Sequence, residues 1–318
     1  MNSEQAPRTA VGRFAPSPSG RMHLGNVFCA LLSWLSARHD GGRWLLRIED
    51  LDTQRCRREY ADALEDDLHW LGLDWDEGGS TGGEHGPYYQ SLRTDIYRRF
   101  FERLEAAGLT YPCFCSRADL KASQAPHASD HAPVYAGTCR HLMPAERERL
   151  AAVRRPSVRL ALPDAESRFD DGHYGPQVCN LQTDCGDFVL RRADGVFAYQ
   201  LAVVVDDALM GVNQVVRGCD LLESTHMQLA IYRLLGFDAP QFIHLPLLMS
   251  EHGQRLAKRD RGASLADLRR AGVGPERIIG RLAHCAGLVD SPRPLMPADL
   301  VADFDWRRVP TANILFEP

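Results

Sequence analysis

Apolar positions along the chain alternate between short continuous runs and helical spacing. Residues 11–14 form a brief apolar start, and residues 24–38 repeat apolar side chains at Val27, Ala30, Leu31, Trp34 and Leu35 with the period of a helix. Gly41-Gly42 ends that helix, and Ala15-Pro16-Ser17-Pro18-Ser19-Gly20 before it holds too many breakers to be helical itself. Residues 43–49, with Leu45, Leu46 and Ile48, predict a strand, and 59–71 return to helix. Strand, glycine-bearing turn, helix, strand is the βαβ pattern of a parallel sheet, so the fold class is α/β. Downstream the pattern predicts an amphipathic helix over 88–107 ended by Gly108, and a hairpin over 188–199 turning at Asp194-Gly195. An apolar run at 201–205, a strand at 212–217, a helix over 221–235 ended by Gly236 and an apolar run at 242–249 follow. Residues 112–150, rich in Cys, His, Pro and Gly, read as an insertion with its own stabilising device, and 262–318 as mostly helical with proline breaks. There is no internal repeat.

Composition narrows the class. Of 318 residues, 44% are hydrophobic and 25% charged, and Lys+Arg 37 against Asp+Glu 42 leaves a net charge of -5. Gly 26 and Pro 19 are too few for a disordered or collagen-like chain. The apolar run 201–205 is far shorter than the roughly 20 residues a membrane span needs. Residues 1–9 lack the apolar core of a signal peptide, so a cytoplasmic location is expected. The slight acidity argues against a general nucleic-acid coat and leaves room for a local basic site, with candidates at Arg55-Cys56-Arg57-Arg58 and Arg307-Arg308.

Candidate chemistry begins where the first strand feeds the first helix, through Arg13-Phe14-Ala15-Pro16-Ser17-Pro18-Ser19-Gly20-Arg21-Met22-His23-Leu24-Gly25-Asn26. A helix N-terminus presents free N–H groups and partial positive charge, a ready phosphate site. His23 and Asn26 can donate to phosphate oxygens, and Gly25 allows a close approach. A second cluster lies in the insertion. Cys113-x-Cys115 followed by Tyr135-x-x-x-Cys139 offers three thiols at zinc-like spacing. The fourth ligand is Tyr135 or His141, and imidazole is the commoner zinc ligand. The other six cysteines, Cys29, Cys56, Cys179, Cys185, Cys219 and Cys285, are scattered and read as buried thiols.

The loop as a whole resembles the first signature of the class I aminoacyl-tRNA synthetases, His-x-Gly-His, with Asn26 in the last place, and Arg-Phe-Ala-Pro-Ser-Pro-Ser-Gly is similar to their glutamate branch. That resemblance implies a Rossmann-type catalytic domain and a lysine loop downstream. Arg255-Leu256-Ala257-Lys258-Arg259 resembles Lys-Met-Ser-Lys-Ser, with Ala257 and Arg259 departing from it, and Lys258 would meet the triphosphate as negative charge builds. By position it assigns Arg13, Ala15, Ser17, Glu49, Tyr199 and Arg217 to a glutamate pocket, and His23, Gly25, Asn26 and Lys258 to ATP. Taken singly, the pocket residues have bland alternatives: Arg217 could pair with Asp220, Glu49 with Arg47 or Arg21, and Tyr199 could be core.

A short, zinc-bearing, glutamyl-tRNA synthetase-like family is the nearest resemblance, over roughly residues 10–260. It favours Tyr135 over His141, giving Cys113, Cys115, Tyr135 and Cys139 as ligands of one structural Zn2+. It implies a layout of catalytic halves at 1–110 and 191–260, a zinc-bearing, acceptor-binding-like part at 111–190 and a short helical part at 261–318. Residues 259–318 leave room for a few helices and not for an anticodon-binding domain. The implied activity is ATP-dependent activation of L-glutamate to glutamyl-adenylate without tRNA. Transfer to queuosine in the anticodon loop of tRNA(Asp) then follows. Mg2+ is implied with ATP, with no ligand assigned, and a monomer is expected. The alternatives are a truncated glutamyl-tRNA synthetase charging a 3′ end, and a non-catalytic RNA-binding paralogue, for which Ala257 and Asn26 speak.

Overall fold

The computed structural model describes residues 9–116, 134–251, 253–256 and 264–316. Its centre is parallel. Strand β1 (Val11–Phe14) leads into helix α1 (Leu24–His39) and back into β2 (Arg43–Leu46), with Val11 opposite Arg43 and Phe14 opposite Leu46. The return is tight: a Cβ on Gly42 would lie 2.2 Å from the Ala10 carbonyl oxygen, so only glycine lets the strands meet there. Helix α2 (Arg58–Trp70) follows, and β3 (Glu77–Gly78) pairs in parallel with β2.

The helix predicted from residue 88 starts later. Helix α3 spans Thr94–Ala106. The Ile48 N–H donates to the Tyr88 carbonyl (2.8 Å) and the Gln90 N–H to the Ile48 carbonyl (3.0 Å), so residues 88–90 extend the parallel sheet instead. Sheet pairing there overrides a helical sequence pattern.

An antiparallel insertion comes next. Strand β4 (Thr110–Cys113), the exposed helix α4 (Pro144–Ala151), β5 (Ser157–Leu160), β6 (Glu166–Asp171), β7 (Gly175–Asn180) and β8 (Phe188–Arg191) make one sheet of order β4-β5-β8 and a separate hairpin β6-β7. Four of these strands, β4 to β7, leave no mark in the sequence pattern. The hairpin expected to 199 closes early: Arg191 bridges Phe197, and Tyr199 already opens a helix.

That helix, α5 (Tyr199–Leu209), contains the apolar run 201–205 at full burial. Strand β9 (Gln214–Gly218), helix α6 (Ser224–Leu235) and parallel strand β10 (Gln241–Leu245) complete the second α/β half. Asn213 joins the halves: its Oδ1 accepts from the Val11 N–H (2.7 Å) and its own N–H donates to the Val11 carbonyl (3.1 Å). Strand β11 (Leu248–Met249), helices α7 (Leu265–Arg270) and α8 (Pro275–Cys285) and strand β12 (Ile314–Leu315) follow.

The C-terminal part is less helical than expected. After Cys285 it runs through irregular chain and 3₁₀ turns, and β12 pairs in parallel with β11. Helix α1 is buried along most of its circumference, between the sheet on one side and α8 with the C-terminal segment on the other. A two-sided core helix shows little amphipathic contrast. Among the described residues no helix is long and apolar enough to cross a membrane. The six scattered cysteines are half-buried rather than buried.

Candidate active site

One cavity of about 470 Å³ opens at the C-terminal ends of β1, β2, β9 and β10, the edge where parallel α/β sheets bind ligands. Arg13, Ala15 and Ser17 line it from the first loop, and His23, Gly25 and Asn26 from the start of α1. Glu49 enters from beyond β2, Tyr199 from the first turn of α5 and Arg217 from β9. The described candidates for glutamate and ATP therefore converge in one place. Lys258, with Ala257 and Arg259, lies outside the described residues.

The helix end is built by local hydrogen bonds. His23 is the N-cap of α1: its Nδ1 accepts from the Gly25 N–H (3.1 Å), and the Asn26 Oδ1 accepts from the His23 N–H (3.2 Å). With Nδ1 accepting, the ring proton sits on Nε2. The cap uses His23 Nδ1 and Asn26 Oδ1, not the side-chain N–H donors of these two residues. A Cβ at Gly25 would come within 2.9 Å of the His23 ring, so a side chain there would displace the cap.

Below the loop lies a buried ionic network that the residue pattern did not reveal. Asp206 and Asp207 sit on α5 within an apolar stretch. Asp206 accepts from Arg93 Nε (2.6 Å), Gln90 Nε2 (2.8 Å) and the Tyr97 hydroxyl (2.8 Å). Asp207 accepts from Arg47 Nη1 (2.7 Å) and lies 3.5 Å from Arg13 Nε. Arg47 also reaches Glu49 Oε1 (3.2 Å), so the structural pairing foreseen for Glu49 is real. Even so, burial pushes the Glu49 carboxyl up to about 7, against the pull of Arg47 and Arg13. Arg13 donates to the Val216 carbonyl (3.2 Å), which ties β1 to β9 under the cavity. Two adjacent acids after an unbroken Val-Val-Val run were the available clue, because buried charges require partners.

Arg217 differs from its neighbours. It is buried, and among the described residues its guanidinium donates to neutral groups: His244 Nε2 (3.0 Å), Gln228 Oε1 (2.8 Å), Thr225 Oγ1 (2.7 Å) and the Leu221 carbonyl (3.3 Å). It does not pair with Asp220, which is bound to Arg255 instead. Burial holds its pKa below the ordinary arginine value, although a guanidinium stays charged at neutral pH. A buried cation held only by neutral dipoles is a seat for an anion.

At the mouth, Arg255 and Leu256 border the cavity, and the Leu256 N–H donates to the Leu248 carbonyl (3.0 Å). Asp220 and Cys29 are lining residues beyond those expected. Burial pushes the Cys29 thiol up to about 11, which keeps it protonated and inert at neutral pH.

The cysteine cluster is compact. The sulfurs of Cys113, Cys115 and Cys139 lie within 4.8 Å of one another, with Cys115 and Cys139 at 3.6 Å. A tetrahedral zinc site with Zn–S near 2.3 Å has edges of about 3.8 Å, so the thiols fit one. The Tyr135 hydroxyl lies 3.4 Å from the Cys113 sulfur and 3.7 Å from that of Cys115, and it accepts from the Cys139 N–H (2.8 Å). The Arg159 guanidinium stacks 3.8 Å from the Tyr135 ring centre. His141 is exposed and stands apart from the three thiols. Burial, with Cys113 and Cys139 beside it, pushes the Cys115 thiol up to about 12. A divalent cation is what allows such packed thiols to ionise together.

Comparison with known proteins agrees with this fold. The family model for the catalytic domain of class I tRNA synthetases (E and Q) matches residues 9–299. A Glutamyl-Q tRNA(Asp) synthetase of Symbiobacterium thermophilum is 55% identical over 302 residues, covering 94% of this chain and 93% of that protein. One from Nitratidesulfovibrio vulgaris is 50% identical over 306 residues, covering 96% and 94%. The crystal structure of a glutamate tRNA ligase from Elizabethkingia meningosepticum in complex with its amino acid superposes with a TM-score of 0.83 at 31% identity, over 98% of this chain and 67% of that one.

Proposed function

The chain belongs to the class I tRNA synthetases of the glutamate and glutamine type, a family of ligases, and from that premise we propose that it activates L-glutamate with ATP and passes the glutamyl group to queuosine in the anticodon loop of tRNA(Asp). The observation that carries the amino-acid half is Arg217, a buried cation facing the cavity that forms no salt bridge with a carboxylate among the described residues. Arg13 adds a second cation and Glu49 an acid, a charge pattern suited to two carboxylates and one ammonium. The names of the two relatives matched over more than nine-tenths of their length support the tRNA half.

In the first step an oxygen of the glutamate α-carboxylate attacks the α-phosphorus of ATP. The bond from that phosphorus to the β-phosphate oxygen breaks, and pyrophosphate leaves. A carboxylate is already a nucleophile at neutral pH, so the protein's part is placement and charge. Arg13, Ala15, Ser17, Glu49, Tyr199 and Arg217 hold glutamate. His23, Gly25 and Asn26 at the N-terminus of α1, with Lys258, serve the phosphates, and Mg2+ accompanies them. In the second step a hydroxyl of the queuosine cyclopentene ring attacks the adenylate carbonyl carbon, and AMP leaves.

Zn2+ held by Cys113, Cys115, Cys139 and Tyr135 would clamp the start of the insertion as a structural ion. In this reading the catalytic halves at 1–110 and 191–260 flank the zinc-bearing part at 111–190, followed by a short C-terminal part at 261–318, of which the described residues 264–316 pack behind α1. The protein acts as a cytoplasmic monomer.

The test is transfer of labelled glutamate, with ATP, to tRNA(Asp) with and without queuosine and to tRNA(Glu). Labelling confined to the queuosine-containing sample is the expected result. Labelling of tRNA(Glu) would instead make the chain a 3′-end charging enzyme.

A further inference from the structure

We infer that Asp171 and His244 are positioning residues for Arg217 and thereby set the enzyme's grip on the acidic substrate. This inference rests on the glutamate reading of the cavity. Asp171 ends strand β6 at the tip of the β6-β7 hairpin, far from the cavity-lining segments in sequence. The hairpin tip nevertheless docks under β10: the Gly172 N–H donates to the Phe242 carbonyl (2.9 Å). The Asp171 and His244 side chains are both 0% exposed.

The chain of bonds has a fixed direction. Asp171 Oδ1 accepts from the backbone N–H groups of His173 (3.0 Å) and Tyr174 (2.9 Å). Its Oδ2 lies 2.6 Å from His244 Nδ1, and the His244 backbone N–H is within 3.2 Å of both oxygens. A carboxylate can only accept, so His244 carries its proton on Nδ1 and turns the lone pair of Nε2 outward. Arg217 Nε–H donates into that lone pair at 3.0 Å.

Two consequences follow. The guanidinium plane is fixed by a relay that begins in the antiparallel insertion, although the cavity itself belongs to the parallel halves. The group touching Arg217 is also a neutral imidazole, so Arg217 is oriented without being neutralised. A carboxylate in place of His244 would hold the arginine equally well and occupy its charge. Burial and the nearby Arg217 keep the His244 ring from protonating, while the Asp171 bond opposes them.

The amide substitution D171N tests the direction of the relay. Its oxygen stays with the backbone donors, its NH2 faces His244 Nδ1, and the ring must move its proton to Nε2. Two N–H groups, from His244 and Arg217, then point at each other, the wrong-tautomer effect of such a change. In ATP–pyrophosphate exchange, D171N should raise the KM for glutamate about ten- to a hundredfold, the scale of one buried hydrogen bond to a charged group. The KM for ATP, and kcat at saturating glutamate, should stay within about threefold of wild type. H244L should behave like D171N. H244Q, whose amide can turn its carbonyl to Arg217 and an N–H to Asp171, should restore the glutamate KM to within about threefold.

A merely structural role would raise both KM values or lower kcat with them, and H244Q would give no rescue. Should D171N fail to fold, the H244L and H244Q pair carries the same test. An unmoved glutamate KM in D171N and H244L overturns the positioning role while leaving glutamate activation standing. Wild-type protein without glutamate-dependent exchange overturns the glutamate reading itself, and this inference with it.

Discussion

Replacing Arg217 by methionine removes a buried charge while keeping much of the side chain's bulk. The guanidinium makes four hydrogen bonds to neutral acceptors, at 2.7 to 3.3 Å. Losing them costs about 1.5 kcal/mol each, the low end for hydrogen bonds to a charged group, or roughly 6 kcal/mol together. Burying an uncompensated cation costs several kcal/mol as well, and methionine regains that. The two terms nearly cancel, so the ligand-free protein should keep its stability to within about 2 kcal/mol. Substrate binding has no such offset. A substrate carboxylate deprived of its charged partner in a dry cavity loses about 3–5 kcal/mol, which is two to three powers of ten in affinity. The assay is pyrophosphate exchange against glutamate concentration at saturating ATP, with urea unfolding of the ligand-free protein alongside. The glutamate KM should rise at least about a hundredfold while the unfolding midpoint hardly moves. A loss of more than about 4 kcal/mol in stability would refute the reasoning, because it would mean that Arg217 is part of a structural pairing. An unchanged glutamate dependence would remove it from the pocket.

Three further outcomes can be checked. Glu49, with its pKa raised to about 7 by burial, must lose its proton before it can pair with an ammonium, so its contribution to binding is present above that pKa and lost as pH falls through it. The glutamate KM should therefore rise steeply with acidification below neutrality and level off above, and a flat profile in wild type would remove Glu49 from the ammonium site. Lys258→Ala should slow adenylate formation by at least about tenfold, the scale of a lost charge contact in the transition state; unchanged exchange would deny it that role. Metal analysis should find about one zinc per chain, lost in Cys115→Ser together with stability, whereas a metal-free and equally stable wild type would leave the cluster as ordinary thiols.

The sequence by itself determined the local conformations and the candidate chemistry. Prolines and glycines forced residues 15–20 out of helix, apolar spacing set α1, and Gly236 stopped α6 in left-handed backbone at φ 71. Motif order marked Arg13, His23, Glu49, Tyr199 and Arg217 in advance, and the fold brings them to one cavity. Such features depend on neighbours a few residues away, which is the range over which periodicity and backbone sterics act. Only the tertiary structure decided what those residues are worth. Residues 88–90 became sheet because Ile48 offered an open edge. Asp206 and Asp207 became an ionic floor because α5 is buried against Arg47 and Arg93. The C-terminal segment became irregular chain and a short parallel strand because it is laid against α1 and β11. Asp171 came to hold Arg217 through His244 only because a hairpin 73 residues before that histidine returns beneath β10. Long-range pairing of buried charges leaves no period in the chain, because the cost of burial is settled by whichever partner the topology brings within reach.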